Sequence, residues 1–259
     1  MKNISLNGAW ELRGRREGTQ ESPIVLSATV PGCVQLDLAE AGYLPRDLYM
    51  GENIRRAEEY EDYEWWYERS FEAPAERTSV FLVFEGVDCF AEYYLNGERI
   101  GKSDNMLIPY EVEVGSRLRE GENTLTVHLS SAIRRAAEYD YTAKLLLGSN
   151  PSIEARHLRR PPHSFGWDIM PRAVTAGLWR GVRLEVRDPL WFSQLFFYMP
   201  RGSGTLLYTM AGDLSLKGLE LEVEGSCGES RFSFRRALSF PHGRIRFGVP
   251  DPKLWYPYG

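Results

Sequence analysis

Short apolar runs with a period of two, punctuated by Gly, Asn, Asp and Pro, recur along this chain and limit what it can fold into. Over residues 124–129, Leu125, Val127 and Leu129 point one way and Thr124, Thr126 and His128 the other. Leu219, Leu221 and Val223 alternate in the same manner with Glu220, Glu222 and Glu224. Successive side chains of an extended strand face opposite sides, so each such segment has one face for a core and one for water. Residues 79–87 (SVFLVFEGV) are nearly continuous in apolar side chains and read as a central strand. Asn96-Gly97 stands between apolar flanks within 93–100, and both residues tolerate φ > 0, which marks a tight hairpin. Further strands are expected over 66–71, 182–187, 190–198, 204–210, 231–240 and 244–249. Many short strands with frequent turn residues mean β-sandwiches, an all-β fold class.

Two segments depart from this pattern. Val34, Leu38 and Ala41 share a helical face after Pro31-Gly32. Residues 132–147 contain good helix formers without a clean exposed face, so helix and partly ordered loop both fit. A domain boundary is expected at Asp188-Pro189, where one strand series closes and another begins. Residues 1–188 have the size of a jelly-roll sandwich with excursions. Residues 189–259 offer about five strands, whereas an immunoglobulin-like sandwich needs about seven strands and roughly 100 residues. That second sandwich is therefore expected to be interrupted, and its free sheet edge offers a route to a homodimer.

Composition narrows the function. Of 259 residues, 31 are Lys or Arg and 36 are Asp or Glu, a net charge of −5, so there is no cationic surplus to displace phosphate counterions and no nucleic-acid partner is expected. An aromatic content of 13% is too high for a disordered chain. No run of 18 apolar residues is present to span a membrane. The first ten residues hold no apolar stretch of the signal-peptide kind, and Cys33, Cys89 and Cys227 are odd in number and far apart. Both features point to a reducing, cytoplasmic setting without a disulfide framework.

The usual catalytic signatures are missing. The sequence has no GxSxG, no GxGxxG after a strand and no phosphate-binding GxxxxGK[ST] loop. His128, His157, His163 and His242 form no zinc-ligand spacing with one another or with a cysteine, so no metal or other cofactor is expected. His128 reads as a solvated strand residue and the cysteines as structural thiols. No pair of carboxylates stands out as a general acid and base.

Two segments are unusual. Residues 103–110 (SDNMLIPY) place Asp104-Asn105 in a loop, where local backbone bonding by a turn is the favoured reading. Residues 159–183 set Trp167, Asp168 and Trp179 among Gly166, Pro171, Gly177 and Gly181. An indole beside a carboxylate on an irregular loop suits a sugar, because the ring covers the C–H face and the carboxylate accepts from hydroxyls. The competing reading buries both tryptophans and makes Asp168 a turn cap. Arg156, Arg159 and Arg160 read as a solvated patch or as partners of local carboxylates.

At these residues the chain resembles the N-terminal part of family 2 glycoside hydrolases, and among them the β-mannosidases. The matching stretches are 6–12 (LNGAWEL), 30–36 (VPGCVQL), 63–71 (YEWWYERSF), 84–97 (FEGVDCFAEYYLNG), 103–110, 165–168 (FGWD), 177–186 (GLWRGVRLEV) and 251–259 (DPKLWYPYG). They run in order over nearly the whole chain. The resemblance implies a galactose-binding-like jelly roll, then an immunoglobulin-like sandwich, then a TIM barrel that carries both catalytic glutamates and lies outside this chain. It also implies retaining hydrolysis of terminal β-mannose, by a nucleophilic and an acid/base glutamate about 5–5.5 Å apart. No residue of this chain is then catalytic, and the chain alone is expected to be inactive. Its loops would edge the barrel mouth. By position, Asp168 would bond sugar hydroxyls, Trp167 would wall the pocket, and Asn105 and Arg159 would sit beside them. The partners so implied are a carbohydrate and the barrel of the same protein. Ile169 and Met170 stand where mannosidases of this type carry a tryptophan and a glycine. A stand-alone carbohydrate-binding module and a β-galactosidase- or β-glucuronidase-like enzyme of the same family are the competing expectations.

Overall fold

The computed structural model describes residues 1–16, 18–140, 153–199 and 202–255. The chain divides into two compact units, Met1–Val186 and Arg187–Gly259.

The first unit is built from ten strands: β1 (Lys2–Ser5), β2 (Gly8–Arg16), β3 (Ile24–Val30), β4 (Tyr63–Glu72), β5 (Val80–Phe84), β6 (Phe90–Leu95), β7 (Glu98–Ser103), β8 (Tyr110–Glu113), β9 (Glu122–Ser130) and β10 (Val182–Val186). Six pair in the order β3-β2-β4-β9-β6-β7 and four in the order β1-β10-β5-β8. Every pairing is antiparallel. The alternation of β9 is realised as expected, with Leu125, Val127 and Leu129 buried. Strand β4 points Trp65, Tyr67 and Phe71 inward from the same sheet. Phe84 of β5 closes against Tyr93 of β6 with ring centroids 4.4 Å apart, so the two sheets share one core. A side chain of this size contributes roughly 1.5–3 kcal/mol on full burial. The hairpin of β6 and β7 turns at Asn96 (φ +54°) and Gly97 (φ +82°), both left-handed.

Several elements differ from the sequence reading. The run 79–87 shortens to β5, which lies inside its sheet. Helix α1 (Val34–Glu40) forms as expected. Of the helix-or-loop segment 132–147, the described part forms α2 (Ala132–Ala137), with Ala132 and Ala136 buried, Ile133 packed beside them and Tyr139 already exposed. Its part from 141 onward lies outside the described residues. Strands β1, β2, β3 and β8 were not anticipated. In β2 the inward residues are Trp10, Leu12 and Gly14, and the glycine leaves room for the Trp65 ring. His128 is not a freely solvated residue. It stacks on Trp66 with centroids 4.7 Å apart, and its Nε2 is 3.3 Å from Glu64.

The second unit contains β11 (Leu190–Tyr198), β12 (Ser203–Gly212), β13 (Glu220–Cys227), β14 (Ser230–Ala237) and β15 (His242–Gly248). One sheet has the order β11-β12-β15, and β13 pairs with β14 as a hairpin. Leu206, Tyr208 and Met210 from β12 meet Leu221 and Val223 from β13 in a small core. Beyond β15, residues 251–255 form no regular element, and the rest of the 251–259 match lies outside the described residues. Both units are all-β apart from short helices. Among the described residues no helix is long and apolar enough to cross a membrane.

Candidate functional site

The two unusual loops of the sequence are brought together by a second, smaller core in the first unit. Phe90 at the start of β6, Met106, Leu158, Phe165 and Val174 are all buried in it, with α2 contributing Ala132 and Ala136. Trp179 packs against this cluster, and its indole N–H donates to the Met106 carbonyl at 3.1 Å. Loops with few backbone partners of their own are thus held by apolar anchors.

From this core a short finger projects. The Ala173 N–H donates to the Ser164 carbonyl at 2.9 Å and closes its base. Gly166 turns the chain at φ +96°, a conformation an L side chain rarely adopts. The Trp167 N–H then donates to the Met170 carbonyl at 2.9 Å, and the Met170 N–H returns to the Trp167 carbonyl at 3.1 Å. That reciprocal pair makes residues 167–170 a tight turn. Trp167 is 70% exposed and Ile169 82% exposed, and the Asp168 carboxylate is exposed between them. Among the described residues Asp168 has no hydrogen bond or ion pair. The reading of Trp167 as a core residue and of Asp168 as a turn cap therefore fails.

The base of the finger is clamped by charge. The Phe165 ring, 2% exposed, lies 5.3 Å from the Arg160 guanidinium and 5.7 Å from that of Arg172. Arg160 is only 3% exposed. Its Nη1 is 3.1 Å from Asp88 Oδ1 and donates to the Thr175 carbonyl at 3.0 Å, while its Nε donates to Ser164 Oγ at 3.2 Å. The Thr175 hydroxyl donates to Asp88 Oδ2 at 2.7 Å. Burial pushes the Asp88 carboxyl up, and Arg160 and the Thr175 hydroxyl pull it back down. Arg172 forks onto Glu61, with Nε to Oε1 at 2.9 Å and Nη2 to Oε2 at 2.6 Å. Burial raises the Glu61 carboxyl and Arg172 opposes it.

The four expected sugar-binding residues fall into two pairs. Trp167 and Asp168 share the tip of the finger. Asn105 and Arg159 are joined by a parallel β-bridge, in which the Met106 N–H donates to the Arg159 carbonyl at 3.1 Å. Asn105 also serves its own turn, as the sequence favoured, by accepting from the Leu107 N–H at 2.9 Å. Arg159 is exposed. No hydrogen bond or ion pair among the described residues joins the two pairs; what they share is the core beneath them. Asp104, beside Asn105, lines a cleft of about 390 Å³ with Phe90, Lys102, Arg135 and Tyr139, which the finger does not border.

The clamp residues were not anticipated as a set. Arg160 stood in a basic run read as solvated or carboxylate-paired, and the second alternative is the one realised. Asp88 lies far away in sequence, and Arg172 and Glu61 carry no local motif. The common signal was weak: two arginines flanking Phe165 within one aromatic, glycine-rich segment.

The chain is similar to known proteins over its whole length. The family described as glycosyl hydrolase 2 galactose-binding domain-like matches residues 10–180. A protein named beta-mannosidase B from Emericella nidulans is 29% identical over 98% of this chain and 31% of its own length. Another of that name from Aspergillus terreus is 30% identical, with coverage of 98% and 31%. The crystal structure of a beta-D-mannosidase from Dictyoglomus thermophilum superposes with a TM-score of 0.81 at 30% identity, over 100% of this chain and 32% of that one. The chain thus spans about a third of the length of the relatives it matches.

Proposed function

The chain belongs to the glycosyl hydrolase 2 galactose-binding domain-like family, and on that premise we propose that it is the sugar-facing front portion of a retaining β-mannosidase. In this reading residues 1–188 are the jelly roll, residues 189–259 are part of an immunoglobulin-like sandwich, and a TIM barrel elsewhere in the protein supplies both glutamates. The observation that carries the sugar-facing role is the finger tip. A large indole and an uncommitted carboxylate are held out in water on a turn whose base is closed by the Ala173–Ser164 hydrogen bond. Exposing so much apolar ring is unfavourable unless a ligand or neighbouring surface covers it.

The chemistry divides accordingly. Asp168 accepts hydrogen bonds from hydroxyls of the terminal sugar and so orients the ring for attack at its anomeric carbon. Trp167 covers the C–H face and keeps water from it. Asn105 and Arg159, paired across their β-bridge, serve as a secondary contact. Hydrolysis itself proceeds through two carboxyls about 5–5.5 Å apart, by a covalent glycosyl intermediate. No step is assigned to a carboxylate of this chain. The reading also makes the protein's partners a β-mannoside and the barrel.

The test is Asp168→Ala in the intact enzyme. A hydrogen bond to a charged group is worth about 1.5–3 kcal/mol, so kcat/KM for an aryl β-mannoside is expected to fall at least roughly tenfold with the thermal midpoint unchanged. A well-folded variant with unaltered kcat/KM would remove the finger from the site. Aryl β-glucuronide or β-galactoside as the preferred substrate would reassign the sugar and leave the family untouched.

A further inference from the structure

The finger needs a fixed position to be useful, and its own backbone supplies little of it. Two amide bonds close its tip and one closes its base. Besides the packing of Phe165 in the second core, the finger is tied to distant parts of the fold by two guanidinium groups on opposite flanks of the turn. Arg160 precedes it and Arg172 follows it, and both lie over the Phe165 ring. Each is tied to a carboxylate on a different part of the sandwich. Asp88 precedes β6, and Glu61 precedes β4. Thr175, just beyond the finger, completes the first tie through both its hydroxyl and its carbonyl.

We propose that the Arg160–Phe165–Arg172 stack is a positioning device that sets where Trp167 and Asp168 stand relative to the sheets. Neither arginine reaches the tip, so neither is a catalytic or sugar-contacting residue. Each acts through the ring that anchors the finger. The planar guanidinium matters as well as the charge, because a lysine ammonium neither forks onto Glu61 nor lies flat over Phe165. The functional half of this proposal rests on the sugar-facing reading above; the mechanical half does not.

The experiment separates the two. Amide hydrogen exchange is followed in the peptide covering 163–173 and, as reference, in β4 and β9. Arg160→Gln strands the buried Asp88 and risks global unfolding. The decisive variant is therefore Arg172→Met, whose site is partly open to water. It is expected to speed exchange of the Trp167 and Met170 amides at least tenfold while leaving β4 and β9 unchanged. Arg172→Lys is expected to restore only part of the protection. In the intact enzyme, Arg172→Met is expected to lower kcat/KM at least fivefold, and to cost clearly less than that in an Asp168→Ala background, where only the Trp167 contact is left to lose. A merely structural role would instead raise exchange uniformly and make the two losses multiply, and either result overturns the device. Unchanged exchange in the finger overturns it too. If Asp168→Ala alone leaves kcat/KM unaltered, the sugar-facing reading and the functional half fall together, while the exchange result still decides the mechanical half.

Discussion

Asp37 illustrates how one buried carboxyl records its surroundings. It lies on α1, with Oδ1 accepting from the Thr29 N–H at 3.0 Å and Oδ2 without a hydrogen-bond partner among the described residues. Desolvation by burial raises its pKa from 3.8 to about 6, opposed only by the Thr29 bond. The folded state therefore holds a proton on Asp37 over a pH range in which the unfolded chain has released it. Where the folded state binds more protons, stability falls as pH rises, here between about 4 and 6. Asp37→Asn removes that liability and keeps an acceptor for Thr29. The variant is expected to be more stable than the parent at pH 7, by on the order of 1–3 kcal/mol, and the gap should close as the pH falls to about 4. Urea titrations of both proteins at several pH values measure it, and a gap independent of pH would show that Asp37 ionises freely. At this scale the candidate site was half legible. Trp167 and Asp168 stood out because an indole beside a carboxylate on a glycine-rich loop suits a sugar, although burial of the ring and a turn cap competed with that reading. Asp88 and Arg160 did not, because an ion pair between residues distant in sequence leaves no local pattern. Burial alone distinguishes Arg160 from its exposed neighbour Arg159.

At the scale of elements, alternation was informative where polar and apolar residues both obey it. Strand β9 shows the full pattern and was read directly. Strand β2 interrupts its buried row with Gly14, which exists to admit Trp65 from β4, so the pattern depends on a partner the sequence does not place beside it. The hairpin of β6 and β7 was legible because its turn chemistry is local. Asn96 does more than turn the chain. Its Oδ1 accepts from the Thr124 N–H at 3.0 Å and its Nδ2 donates to Asn123 Oδ1 at 2.9 Å, tying the turn to β9. Gly97 meets open space where a Cβ would stand, so its role is conformational. Gly97→Ala should then cost about 1–2 kcal/mol from left-handed strain alone. The expected result is a lower urea midpoint with an unchanged m-value. A neutral substitution would mean that the turn relaxes to another type without disturbing the sheet.

At the scale of the whole molecule, the two units differ in how well each satisfies its own chain. The first closes two sheets over a continuous core whose buried members come from eight of its ten strands, from α1 and from the connections between them, and it has a second core under the finger. The second has a core drawn mainly from β12 and β13, and its edge strand β11 leaves Leu195, Phe196, Phe197 and Tyr198 all exposed. Natural edge strands are usually shortened, charged or covered, since an uncovered apolar edge pairs with other chains. Which residues are left bare depends on sheet order, which alternation does not encode. The contrast also predicts how the units behave apart. Residues 1–186 expressed alone are expected to unfold in one cooperative transition, with a thermal midpoint within a few degrees of the full chain's main transition. Residues 187–259 alone are expected to bind a hydrophobic dye, to unfold with little cooperativity and to associate as concentration rises, because the row on β11 is exposed. Calorimetry and sedimentation on the two fragments measure both outcomes. A cooperative, monomeric second fragment would mean that its small core suffices and that the β11 row is an ordinary exposed surface. A first fragment that fails to unfold cooperatively would mean that its two-sheet core is not self-sufficient.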